Sequence, residues 1–209
     1  MLTHYNRIAG QNAERLAALS DGVFAVAMTL LVLDLHTPAA DAVHTEADLA
    51  HALLALAPRV LVYLMSFITL GIFWIGQQTQ LNNLARTDRA VSWIHLVFLL
   101  AVSVTPFTTS LMAEFIELRL ALIVYWLNIV LLGGILFAAW RCAIASRLVR
   151  DEITPEIGAW IERRIMIAQT LYAFGALLCL INTYVSLGFI ILVQLNYAIG
   201  PKSGPLSRL

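Results

Sequence analysis

From Gly22 to Leu33 the chain carries no charged residue, yet Ser20 and Asp21 stand immediately before this run and Asp34 immediately after it. Taken from Arg15 to Leu35, the stretch is long enough to cross the hydrocarbon core of a bilayer as one helix. A carboxylate inside such a span is penalised by about 3 kcal/mol or more against lipid, so Asp21 must face protein or water. A membrane helix with that group built into it reads as functional machinery as well as an anchor.

Apolar windows predict six spans, at about 15–35, 58–81, 90–112, 119–140, 158–181 and 184–200. The expected fold is an all-α integral membrane protein with one domain over residues 1–209. Hydrophobic residues make up 60% of the chain, charged residues 12%, and the mean hydropathy is +0.82, values that exclude a soluble globular domain. Formal net charge is zero, which removes the case for a nucleic-acid partner. Cys142 and Cys179 lie in apolar stretches, so neither a disulfide framework nor a metal site is expected.

The residues ahead of the first span are polar and include Arg7, so this span reads as retained rather than as a cleaved signal. Thr45-x-x-Asp48 has the form of a capping box that starts a helix. Pro58 then either separates a short amphipathic lead-in from the second span or kinks one long helix. Thr154-Pro155 leads into the fifth span, Asn182-Thr183 reverses the chain into the sixth, and Gly200-Pro201 closes it.

Six spans put both termini on one side. All but Arg59 and Arg119 of the 13 lysines and arginines fall on that side, and those two sit at span edges where they can snorkel. The expected placement is the plasma (cell inner) membrane, multi-pass, with both termini cytoplasmic.

Positions three, four and seven apart stack along one side of a helix, which puts Gly22, Val26, Thr29, Leu30 and Leu33 on one stripe of the first span. Spacing alone fits a core-packing or lipid-facing surface as well as a functional one.

The run Arg15-x-x-x-Leu19-Ser20-Asp21-Gly22-Val23-Phe24-Ala25-Val26-Ala27-x-Thr29-Leu30 closely resembles the Arg-x-x-x-Phe-Ser-Asp signature of the transmembrane protein 175 family, endosomal and lysosomal-type potassium channels and their bacterial relatives. Trp74, Asp88-Arg89 and Pro106-Phe107-Thr108-Thr109 extend the likeness through about Thr109, while the second half matches only in hydropathy. Leu19 replaces the usual Phe, Gln77-Gln78 stand where a His pair is common, and His95 stands where Asn is frequent.

The resemblance implies a potassium-selective cation channel with modest preference over sodium, no reentrant filter loop and no resident cofactor, potassium being the permeant ion. One signature copy per chain implies a homotetramer embedded in the lipid bilayer, each subunit giving its first helix to a central pore. The family's constriction positions fall on Val26, Leu30 and Leu33, with Thr29 as the polar position among them. Apolar rings make an easily dewetted neck, and a ring of hydroxyls offers oxygens to a partly dehydrated cation. Asp34, just outside the neck, is placed to concentrate cations at the outer mouth.

On the six-span topology Asp21, Trp74, Gln77 and His95 each lie roughly 6 to 10 Å inside the arginine-rich face. They are expected to meet in one buried network of Ser20, Asp21, Trp74, Gln77, Gln78 and His95, with Arg15 as the nearest countercharge. Such a network either locks helices together or gates through protonation of His95 or Asp21. The rival class is a secondary transporter of a small cation or solute, for which the chain shows no related halves. An enzyme is not expected, since His36, His44 and His51 lack metal-site spacing.

Overall fold

The computed structural model describes residues 12–199; Arg7, Gly200-Pro201, Lys202 and Arg208 lie outside the described residues. The architecture is all-helical: α1 (Ala13–Leu30) running into a 3-10 turn (Leu31–Asp34), α2 (Glu46–Ala55), α3 (Ala57–Asn82), α4 (Arg89–Glu114), α5 (Arg119–Ala145), α6 (Pro155–Leu177) and α7 (Thr183–Ile199).

Among the described residues five segments are long and apolar enough to cross a membrane: Ala13–Asp34, Ala57–Asn82, Arg89–Glu114, Arg119–Ala145 and Pro155–Leu180. The sixth expected span, α7, is apolar but has 17 residues, about 25 Å of helix against a hydrocarbon core near 30 Å. Several helices outrun their expected limits: α5 continues to Ala145 and α6 begins at Pro155. Hydropathy marks only the apolar part of a helix, and Arg141 and Glu156 continue these two beyond it.

Local chemistry sets the ends. Asn12 accepts from the Arg15 amide at 2.9 Å to start α1, Asp88 accepts from the Val91 amide at 2.8 Å to start α4, and Thr154 caps α6 with Pro155 in the first turn. At α2 the capping box is reciprocal, Asp48 N–H donating to Thr45 Oγ1 at 3.1 Å and Thr45 N–H to Asp48 Oδ2 at 2.9 Å. The Thr45 bonds and the His44 amide hold the Asp48 carboxyl below its ordinary value. Pro58 resolves as a separator: α2 ends at Ala55, and Pro58 occupies the first turn of α3, where its missing N–H has no helical acceptor to lose.

α1 packs against α3 and α4; α4 packs extensively on α5, α5 on α6, α6 on α7, and α7 returns to α3. α1 is thus held on one edge by its two nearest neighbours. A core of Phe24, Leu31, Leu70, Phe98, Val102, Leu122, Leu132 and their neighbours runs through the bundle. On the arginine-rich side a second cluster joins Leu16, Leu81, Leu84, Val91, Ala143 and Leu148. There the two connecting loops pair backbone to backbone: Ala85 N–H to Leu148 O at 2.8 Å and Arg150 N–H to Asn83 O at 3.0 Å. The turn that presents Leu148 requires Arg147 at φ 52, a left-handed conformation that disfavours a non-glycine residue by about 1 kcal/mol.

Candidate functional site

The first span presents two unlike faces. Leu16, Ser20, Phe24, Ala27 and Leu31 are buried, Phe24 meeting Phe98 at 6.0 Å between ring centroids. Gly22, Val26, Thr29, Leu30 and Leu33 are exposed, Val26 at 58% and Leu33 at 66%. The stripe drawn from sequence is therefore the face of α1 that the other described residues leave uncovered. The 3-10 turn Leu31–Asp34 ends this face and carries Leu33.

Thr29 is the polar member of this face. Its single hydroxyl proton is engaged by its own helix, with Ala25 O at 2.8 Å and Val26 O at 2.9 Å. That back-bonding fixes the rotamer and leaves lone pairs of Oγ1 turned away from the backbone, as an acceptor only. Asp34 closes the 3-10 turn and is half-buried, with its carbonyl bonded to His36 Nδ1 at 3.1 Å.

At the arginine-rich end the expected single network separates into two. Asp21 Oδ1 accepts from Trp74 Nε1 at 2.8 Å and from Gln78 Nε2 at 2.6 Å, and all three residues are exposed or part-exposed. Trp74 and Gln78 are four apart on α3, so both reach the same oxygen from one helical face. Gln77, one position earlier than Gln78, points into the bundle, where its Nε2 lies 3.2 Å from His95 Nδ1, both residues at 1% exposure or less. Gln77 Oε1 has no partner among the described residues. Ser20 joins neither group: its buried hydroxyl donates to Leu16 O at 2.9 Å. Arg15 is exposed and makes no ion pair with Asp21; the two residues leave α1 in different directions.

A larger polar assembly escaped the sequence reading. In the bundle interior Gln194 Nε2 donates to Thr69 Oγ1 at 2.6 Å, Thr69 bonds Tyr125 OH at 3.0 Å, and Ser66 Oγ donates to the same phenol at 3.3 Å. Thr109 Oγ1 lies 2.9 Å from Ser66 Oγ, and Asn128 Nδ2 donates to Thr105 Oγ1 at 2.9 Å. The available signal was spacing: Ser66 and Thr69, Thr105 and Thr109, Tyr125 and Asn128 are three or four apart on apolar helices, so each pair faces one way. These neutral groups tie α3, α4, α5 and α7 together, with Gln194 Oε1 left without a partner among the described residues.

A family model described as endosomal/lysosomal potassium channel TMEM175 matches residues 15–106. A potassium channel of Chamaesiphon minutus is 32% identical over 190 residues, covering 88% of this chain and 93% of that protein. A potassium channel of Streptomyces collinus is 40% identical over 103 residues, 49% of this chain and 48% of that protein; the chain thus matches about half the length of that relative. The crystal structure of a lysosomal potassium-selective channel TMEM175 homologue from Chamaesiphon minutus matches with a TM-score of 0.79 and 29% identity over 91% of this chain and 98% of that one. Similarity therefore reaches past Thr109 into the half that resembles the family only in hydropathy when read alone.

Proposed function

The chain belongs to the TMEM175 family, and from that premise we propose that it is a potassium channel, not an enzyme, whose pore is lined by the first helix of each of four identical subunits. The bare face of α1 supports this most directly: among the described residues Val26, Leu30 and Leu33 form an apolar line that no other helix covers, with the Thr29 oxygen set into it. One helix encloses nothing. Four copies around a cyclic axis bring four such lines together, and a ring closed by rotation leaves no interface unpaired.

In that assembly Val26, Leu30 and Leu33 form the hydrophobic neck and Thr29 contributes a ring of four hydroxyl oxygens. Potassium sheds its water at lower cost than sodium, so a neck that strips part of the shell favours potassium modestly. The Asp21–Trp74–Gln78 group stands at the inner end of the same helix and fixes its position against α3, while Asp34 gathers cations at the outer mouth. All six apolar helices other than α2 form one membrane domain, the short α7 completing its span at the arginine-rich side. Both termini are cytoplasmic in a plasma (inner) membrane, by the distribution of arginine. The pore holds permeant potassium and needs no resident cofactor.

Mass measurement in detergent combined with reconstitution into liposomes tests this. The expected result is a particle of four chains that passes potassium without a coupling ion, with a reversal potential displaced toward potassium in a potassium–sodium gradient. A stable monomer or dimer, or flux that requires a counter-transported ion, overturns it.

A further inference from the structure

A cavity of about 320 Å³ opens between α3, α6 and α7, away from α1. Its walls are mostly apolar, including Phe67, Ile72, Ile75 and Ile165. A Cβ added at Gly71, also on this wall, would meet nothing within 4 Å, so the space is open at that point. One charge stands on the wall: Arg164, whose guanidinium lies 5.8 Å from the Trp160 ring centroid and 5.6 Å from that of Tyr197. No carboxylate pairs with it among the described residues. An arginine flanked by a tryptophan and a tyrosine on the arginine-rich side of a membrane protein is the composition of an interfacial anion site.

Two glutamines complete the wall. Gln80 is 2% exposed and gives its Nε2 to Leu136 O at 3.1 Å, which leaves its Oε1 without a donor. Gln169 does the same, Nε2 to Ile129 O at 3.4 Å with Oε1 unpartnered, and its side chain passes over Gly133 so closely that a Cβ there would require it to move. Both residues stand in the cavity wall with their amide oxygens covered rather than presented to the open space. The occupant that the apolar wall and Arg164 suit has an apolar body and an anionic head.

We propose that this cavity binds an anionic glycerophospholipid of the surrounding bilayer, one acyl chain against the isoleucine wall and the phosphate on Arg164. The volume accommodates a body of roughly ten water-sized units, one chain and not two. Such a lipid is present at high local concentration wherever the cavity opens to the membrane, so weak intrinsic affinity suffices. The site is lined in part by α3, the helix whose Trp74 and Gln78 bond Asp21, so its occupancy braces that helix.

Native mass spectrometry of the full chain tests this with phosphatidylglycerol and phosphatidylcholine offered in equal amounts. The expected result is one phosphatidylglycerol retained per chain in preference to phosphatidylcholine. Arg164→Gln should lower that retention about fivefold, and Gly71→Leu, which fills the open space without touching Arg164, should abolish it. Equal retention of the two lipids, or phosphatidylglycerol retention unchanged in both variants, overturns the proposal. So does a change of assembly mass in Gly71→Leu with lipid retention intact, which would assign the cavity to a neighbouring subunit. Retention is read without any current, so its failure is separable from failure of the channel reading.

Discussion

Leu30 and Leu31 are adjacent residues of one type, yet Leu31 is fully buried against the bundle while Leu30 is 43% exposed. The same division runs along the whole first span, with Phe24 and Ala27 on the covered side and Val26 and Leu33 on the bare side. In water such a difference would follow from hydrophobicity. In lipid it does not, because acyl chains are as apolar as leucine and burial gains little transfer free energy. Shape decides instead: the covered side interlocks with Phe73 and Phe98, whose centroids are 6.3 Å apart, and the bare side carries Gly22 and Thr29 along an otherwise aliphatic line that none of the other described residues interlocks with. A face left unpacked by its own subunit is available to copies of itself.

Substitutions on the two sides should therefore fail differently, and the largest effect is expected on the covered one. Phe24→Ala removes a ring from between Phe98 and the bundle, and the lost packing should destabilise the subunit by about 2 kcal/mol, less than in a soluble core because the transfer contribution is small. Thermal unfolding in detergent reads it, and selectivity of the surviving channels should be unchanged. Leu30→Ala is its counterpart. It should leave the melting temperature near that of the parent and raise conductance severalfold while lowering potassium-over-sodium discrimination, as the neck widens and rewets. Thr29→Val on the same face keeps the volume but deletes the hydroxyls, and should lower current or selectivity without widening the neck. If Leu30→Ala and Phe24→Ala lose stability equally and neither alters reversal potential, the two faces are not functionally distinct.

A smaller effect is expected at the inner end, where the same contrast recurs between polar groups. Asp21 is exposed and receives two donors, whereas Gln77 and His95 are sealed inside. Asp21→Asn keeps the shape and removes the charge, so each charge-assisted bond from Trp74 and Gln78 weakens by about 1 kcal/mol. Open probability should shift while the melting temperature moves by only a few degrees. Unaltered currents together with unaltered stability would remove Asp21 from any role.

The smallest effect lies outside the membrane. The Asp48 carboxyl, held below its ordinary value chiefly by Thr45 Oγ1, stabilises the start of α2 at pH above the unfolded value of 3.8. That stabilisation is lost only as pH falls through the lower folded value. A carboxyl titration by NMR should place the Asp48 midpoint below 3.8, and Thr45→Ala should move it upward; an unmoved midpoint would show that the capping bond does not set it.

Much of this was readable before any coordinates. Hydropathy located the helices because about 20 apolar residues in succession have few alternatives to crossing a bilayer. Thr45-x-x-Asp48 and Thr154-Pro155 marked helix starts because capping depends on side chains within a few residues of the amides they serve. The stripe from Gly22 to Leu33 was likewise a matter of helical period alone. Harder to read were the helix lengths, since polar residues prolong α5 and α6 past the apolar part, and the hydroxyl and amide assembly around Tyr125, which joins residues as far apart in sequence as Thr69 and Gln194.

Sequence by itself determined that Asp21 sits in a span and needs a partner, because the cost of an unpaired carboxylate in lipid is a property of the residue and its neighbours along the chain. Only tertiary structure decided which partner. Gln77 and Gln78 are the same residue type one position apart, and the 100° turn between them sends Gln78 to Asp21 and Gln77 to His95. The orientation of α3 against α1 and α4 settles that choice, and it is fixed by the interlocking of many side chains across the bundle rather than by any property of the two glutamines.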